Sequence, residues 1–256
     1  MKKLMFAAVA AAAGGLMAIE SANVVGYNTQ AVQGDKLYCI GLQFAEVGST
    51  SDMASIASLA TSGITAGVYD TMATDAPCIM IYNGTGYDFY YYISDAFDAN
   101  GNETTAWADI NGDETTEQKA IGTGCWLRIP EGTATAGSVT ESGQVSEADT
   151  STINIANGLT LASSPYPVAL DMAKVTTSGL VAGVYDTMST DAPCIMVYNG
   201  TGYDFYYYIS DAFDANGNEV TAWADINGDA LTGNIAKIGE AFWVRSGSAG
   251  TLTIAK

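Results

Sequence analysis

The 256-residue chain contains no histidine. That absence removes the Ser-His and Cys-His nucleophile pairs and the usual zinc sites, because no other unperturbed side chain titrates near neutrality. A carboxylate pair of the glycosidase kind needs a concave, desolvated setting that no motif announces, so a non-catalytic protein is expected. Positive charge is scarce as well: nine Lys and Arg stand against 28 Asp and Glu, a formal net charge of −19. Such a surface repels phosphate and anionic lipid and attracts cations, which argues against nucleic acid as a partner. Solubility outside the cell is the plainer use of the same charge.

No apolar run reaches the roughly 20 residues that span a bilayer. The nearest, Leu4 to Ala18, follows Lys2 and Lys3 and ends in small residues, the pattern of an export signal. The expected organisation is a signal peptide over 1–18 and a mature chain from near Ile19, secreted or held at the cell surface. Cleavage would leave 9 − 2 = 7 basic residues against 28 acidic ones, a charge of −21.

Cysteine is also sparse, with Cys39, Cys78, Cys125 and Cys194. Export permits disulfides, and four thiols allow three pairings among which the sequence does not choose. Comparison of the two halves of the chain aligns Cys125 with Phe242 and Cys39 with about Ala156. A position shared by cysteine and phenylalanine is an apolar one, which favours buried free thiols.

What is present is a repeat. A shift of 116 residues lays Ser62–Gly112 on Ser178–Gly228 with 46 of 51 positions identical. The differences are Ile64/Leu180, Thr65/Val181, Ala73/Ser189, Ile81/Val197 and Thr104/Val220. A one-residue gap then aligns "IGTGCWLRI" from Ile121 with "IGEAFWVRS" from Ile238, and upstream Gly41 is set loosely on Gly158. The copies have diverged at both ends and hardly at all in the middle.

Each copy reads as β structure. "CIMIYNGTGYDFYYYI" from Cys78 joins two β-prone runs through Asn-Gly-Thr-Gly, a hairpin signal that also explains the sequon-like Asn83 and Asn199. Asn100-Gly101 and Asn111-Gly112 mark two further turns. "TSDMASIASLA" from Thr50 has apolar residues at helical spacing. The expected fold is all-β and mainly antiparallel: two tandem, similar, sandwich-like or barrel-like domains over 19–145 and 146–256, with at most one short helix each.

Two residue sets are candidates for binding. Asp109, Asn111 and Asp113 have the 1-3-5 oxygen spacing of a calcium loop, as do Asp98, Asn100 and Asn102, with Asp214, Asn216, Asn218, Asp225, Asn227 and Asp229 in the second copy. An EF-hand is excluded because Glu114 or Ala230 replaces the glycine at position 6 and Ala120 or Ala236 the glutamate at position 12. The choice lies between a calcium site borne on turns and turns alone; no cofactor is required, and calcium is the ion the stretch would admit. The second set is aromatic: Tyr90, Tyr92 and Trp107, with Tyr206, Tyr208 and Trp223, would stack on sugars if exposed and stabilise the sheet if not.

The order "GLTLASSPYPV", "YNGTGYDFYYY", "IGEAFWVRS" resembles a small β module of bacterial secreted and surface proteins, with motifs of the form G-W-N-L-I-S-L-P, W-x-G-x-G-Y and G-x-G-Y-W-V. "SANVVGYNTQAV" from Ser21 likewise resembles the first strand of exported proteins of verrucomicrobia-like bacteria that carry this module. The chain departs from the pattern at Gly158-Leu159 and Gly124-Cys125. The resemblance implies an exported β-domain and brings no activity with it. The expected function is a secreted, non-catalytic surface or extracellular-assembly protein that self-associates; the alternative is a calcium-assisted carbohydrate-binding module directed at an extracellular glycan.

Overall fold

The computed structural model describes residues 25–49 and 51–256. The expected leader and Ile19 lie outside these residues, as does Thr50. The first repeat contains β1 (Val25–Val32), β2 (Lys36–Gly41), β3 (Met53–Ser55), β4 (Ala60–Ser62), β5 (Cys78–Tyr82), β6 (Tyr87–Phe97), β7 (Glu103–Ala108), β8 (Gln118–Ala120), β9 (Gly124–Ile129) and β10 (Gly137–Gln144). The second follows as β11 (Thr150–Ile155), β12 (Gly158–Ser163), β13 (Leu170–Asp171), β14 (Val175–Ser178), β15 (Cys194–Tyr198), β16 (Tyr203–Phe213), β17 (Glu219–Ala224), β18 (Asn234–Ala236), β19 (Ala241–Ser246) and β20 (Gly250–Ala255).

The sheets match strand for strand. Order β2-β9-β5-β6-β7 in the first repeat becomes β12-β19-β15-β16-β17 in the second, β1-β10-β4 becomes β11-β20-β14, and β3-β8 becomes β13-β18. Every pairing between these strands is antiparallel. The all-β, two-domain expectation is met. In each repeat the three- and five-stranded sheets enclose one core, Val32 and Val139 meeting Ile79, Leu127 and Trp107 in the first, Ile155 and Leu252 meeting Ile195, Val244 and Trp223 in the second. No helix among the described residues is long and apolar enough to cross a membrane.

Two local expectations are corrected. The segment after Thr50 is not a helix: it forms β3, a 3-10 turn over Ile56–Ser58, then β4. Its buried residues Ala54, Ile56 and Leu59 fit a strand followed by a tight turn, because Met53–Ser55 takes Gln118–Ala120 as its partner. The helical element is Tyr69–Thr71 (3-10) running into α1 (Met72–Asp75), repeated as Tyr185–Thr187 and α2 (Met188–Asp191). The Arg128 guanidinium donates to the Ala73 and Ala76 carbonyls at 2.8 and 3.2 Å, closing the end of α1. The upstream alignment is also moved. Gly41 pairs Gly124 and Ser163 pairs Ala241, so Gly41 corresponds to Ser163 and Cys39 to Leu161, five residues beyond the alignment read from sequence. All four cysteines are free and buried.

The repeats meet through the outer faces of their five-stranded sheets. Cys39, Trp126, Leu161, Ala241 and Trp243 form a buried cluster flanked by Met80, Tyr82, Met196 and Tyr198. Contacts come in reciprocal pairs: the Tyr82 ring meets Trp243 edge-on at 5.1 Å, and Tyr198 meets Trp126 edge-on at 5.3 Å. Gly41 N–H donates to Gly239 O at 2.8 Å, and Ser163 N–H donates to Gly122 O at 2.8 Å. These reciprocal contacts are those of a two-fold, isologous interface within one chain. Approach is close enough that a Cβ on Gly124 would lie 2.8 Å from Ala162 O.

The symmetry fails at one buried carboxylate. Glu141 accepts from Gln43 N–H at 2.9 and 3.0 Å and from Phe44 N–H at 3.1 Å, while Gln43 Nε2 crosses the seam to Tyr166 O at 2.7 Å and Ser164 O at 3.2 Å. In the second repeat Ile254 replaces Glu141 and Pro165 replaces Gln43. Proline has no N–H, so one donor needing a buried acceptor is gone and an apolar side chain suffices. Burial pushes the Glu141 carboxyl up to about 7, against the pull of its two N–H donors.

Candidate functional site

The doubled acidic stretch forms two turns per repeat. Asp98 Oδ1 accepts from the backbone N–H of Asn100 and Asn102, each at 2.8 Å, and the Asn102 side chain donates to Oδ2 at 3.1 Å. Asp109 Oδ1 accepts from Asn111 N–H at 2.8 Å and Asp113 N–H at 3.1 Å, with Asn111 Nδ2 on Oδ2 at 3.0 Å. Asp214 with Asn216 and Asn218, and Asp225 with Asn227 and Asp229, repeat both patterns. Gly101 and Gly112 supply φ of 78° and 85°. Backbone donation from Asn102, then side-chain donation, holds Asp98 below the usual carboxylate range, and Asn218 does the same for Asp214. Each expected ligand set is thus brought together, with its first carboxylate accepting the N–H groups of its own turn. The turn's own hydrogen bonds account for the side chains of Asp98, Asn102, Asp109 and Asn111. Among the described residues no three His, Cys, Asp or Glu converge as a metal-binding group.

The aromatic set is corrected. Tyr90 (8% exposed) and Trp107 (2%) belong to the core, with Tyr92 packed against it; Trp223 (5%) is its counterpart, flanked by Tyr206 and Tyr208. The Trp107 indole N–H donates to Leu59 O at 2.9 Å, and Tyr92 lies directly across the ladder, ring centroids 5.4 Å apart. The opposite face of β6 carries the exposed rings, Tyr87 and Phe89, with Phe205 in the second repeat. Of the six residues expected to stack on sugars, Tyr90, Trp107 and Trp223 are buried, and Tyr92, Tyr206 and Tyr208 are half-buried and packed against the core.

A different site lies at the edge of the seam. A groove of about 1100 Å³ opens between the β1–β2 end of the first repeat and the β15–β16 hairpin and β18–β19 loop of the second. Asp35, Lys36, Asp204, Lys237 and Glu240 bring charge of both signs, and Gln30, Asn199 and Asn234 bring amides, around the rings of Tyr38 and Tyr198. The hairpin is pre-set: Asn199 Oδ1 accepts from Gly202 N–H at 2.9 Å, Asn199 Nδ2 donates to Asp204 at 3.0 Å, and the Tyr198 hydroxyl donates to Gly200 O at 2.8 Å. Glu240 braces the opposite wall by accepting from Lys237 N–H at 2.8 Å.

This groove is built once, not twice. Strand pairing matches Lys36 with Gly158, Gln30 with Ile153 and Glu240 with Thr123, all uncharged. Lys237 is the extra residue of the second copy. Asp88, the counterpart of Asp204, sits 3.7 Å from Lys119, which in turn lies 2.7 Å from Glu117; Ile235 stands where Lys119 would be, leaving Asp204 without that ion pair. Sequence reasoning missed these residues because they come from four separated segments. The one local signal was the single-residue gap that Lys237 creates. Chemically the groove offers donors and acceptors of both charges beside two tyrosine rings, an arrangement suited to holding a polar ligand. Comparison with protein-family models, with curated proteins and with solved structures finds no match.

Proposed function

We propose that the protein is an exported, non-catalytic surface protein that binds an oligosaccharide segment of an extracellular glycan in the groove between its repeats. The observation that carries this reading is the asymmetry of the groove: Lys36, Lys237 and Glu240 have no charged counterparts in the other copy, although the hairpin beside them, in which Asp204 matches Asp88, is repeated almost unchanged. Neither the fold nor the turns require Lys36 and Lys237 to face one space. A concave site with a few polar groups near aromatic surface is the usual form of a small-ligand site, and sugars present hydroxyls to amides and carboxylates while an apolar ring face meets tyrosine.

The test is a glycan array followed by calorimetry on the exported chain. Deleting Lys237 restores the length of the first copy and removes one cationic donor. A hydrogen bond to a charged group is worth about 1.5–3 kcal/mol, so affinity should fall roughly 10- to 100-fold. The reading fails if no glycan is retained, or if the deletion and Asp204→Asn leave affinity unchanged.

A further inference from the structure

The 51-residue block poses a question that folding does not answer. Packing restricts buried positions, whereas exposed substitutions are close to neutral for stability. Yet the exposed apolar residues Tyr69 (40% exposed), Phe97 (41%) and Ile110 (66%) recur as Tyr185 (40%), Phe213 (43%) and Ile226 (66%). They are neighbours around one turn. The Tyr69 ring lies over Gly112, where a Cβ would come within 2.6 Å of it. Phe97 N–H donates to Gly112 O at 2.9 Å, and Ile110 is part of the same Asp109–Asp113 turn. Asp95 fixes the arrangement by accepting from Tyr69 N–H at 2.9 Å. The second copy repeats it, with Asp211 accepting from Tyr185 N–H at 2.9 Å and Phe213 N–H donating to Gly228 O at 2.9 Å.

Carboxylates flank both patches: Asp70 follows Tyr69, Asp98 follows Phe97, Asp109 and Asp113 bound the turn and Asp95 holds Tyr69 N–H, with the same residues 116 positions later in the second. No Lys or Arg occurs between Lys36 and Lys119, or between Lys174 and Lys237. Arg128, which reaches the adjoining helix, is engaged by the Ala73 and Ala76 carbonyls. An exposed apolar centre with a rim of one charge sign is the form of a protein-docking surface. The rim decides what docks. A second copy of this chain, at a net charge of −19, meets like-charge repulsion there.

We propose that each patch is a docking site for a basic amphipathic segment of a partner protein, so that one chain carries two equivalent sites. Apolar side chains of the segment would cover Ile110, Phe97 and Tyr69 while its lysines or arginines meet the carboxylate rim. This accounts for the near-identity of two exposed surfaces whose cores alone would tolerate divergence.

The probe is a fluorescent synthetic peptide of alternating lysine and leucine, compared with an oligolysine of equal charge, on the full exported chain. Two peptides should bind per chain, roughly tenfold or more tighter than oligolysine. Ile110→Ser should reduce the stoichiometry to one, and adding Ile226→Ser should abolish the preference over oligolysine. The paired changes Asp113→Asn and Asp229→Asn should weaken binding most at low salt. Deletion of Lys237 should leave peptide binding unchanged, which separates these sites from the groove. Equal binding of the two peptides, or unchanged stoichiometry and preference in the Ile→Ser variants when circular dichroism shows an intact fold, would overturn the proposal.

Discussion

Replacing Glu141 with glutamine should flatten the pH dependence of stability. The carboxyl lies in the seam-side core, 6% exposed, and burial raises it from an ordinary 4.5 to about 7. A group held more tightly protonated in the folded state contributes its full stability below the unfolded-state value and loses it as pH rises through the folded one. The window therefore runs from about pH 4.5 to about pH 7. At about 1.4 kcal/mol per decade, the loss across it is about 3 kcal/mol. Glutamine is neutral throughout and retains an acceptor for the N–H groups of Gln43 and Phe44, so the variant should lack this component. Urea titrations at closely spaced pH values would measure it, with the wild-type and variant curves converging in acid and separating toward about pH 8. Parallel curves would refute the reasoning, because they would mean that Glu141 ionises inside the fold at no cost.

Three further outcomes follow from geometry already described. Trp243→Ala removes the ring that faces Tyr82 across the seam and should cost about 3–5 kcal/mol in denaturant titration; Trp126→Ala, its reciprocal, should cost a similar amount. Gly112→Ala places a methyl group against the Tyr69 ring at a φ of 85°, and should lower stability by about 1–3 kcal/mol while altering Tyr69 more than any distant ring by NMR. All four thiols should resist an aromatic disulfide reagent in the native state and react together in urea: burial pushes Cys78 up to about 12 and Cys194 up to about 11, and raises Cys39 and Cys125 well above an ordinary thiol.

Much of the fold was legible because its signals are local. Asn83-Gly-Thr-Gly predicts the β5–β6 hairpin, and Asn100-Gly and Asn111-Gly predict the turns on either side of β7. Which face of β6 points inward was not legible. Period-two alternation assigns Tyr90 and Tyr92 to one face, but only the pairing of Tyr92 with Trp107, and of Trp107 with Leu59 O, determines that this face is the core. The other face is also partly covered, by the segment around α1 where Tyr91 and Ile93 meet Ala76 and Met72, so both faces are aromatic and no polar side marks the outside. Spacing at Met53, Ile56 and Leu59 suggested a helix because a short strand followed by a 3-10 turn leaves nearly the same apolar pattern. The groove was invisible for a different reason. Its walls come from strands far apart in the chain, and the seam that aligns them depends on reciprocal contacts that no window of sequence contains.

The two-fold seam also changes what mutation can do. In a dimer of identical chains, any substitution at the seam is made on both sides at once, and a residue that helps on one side must be tolerated on the other. Within one chain, Lys237 could be inserted in the second copy alone, and Glu141 could face a backbone N–H in one copy while Ile254 stands beside a proline in the other. Association no longer depends on concentration, because the partner is always the other half of the same molecule. Covalent linkage therefore separates two roles that identical subunits must share: the paired outer surfaces can stay alike, while the cleft between them becomes unique.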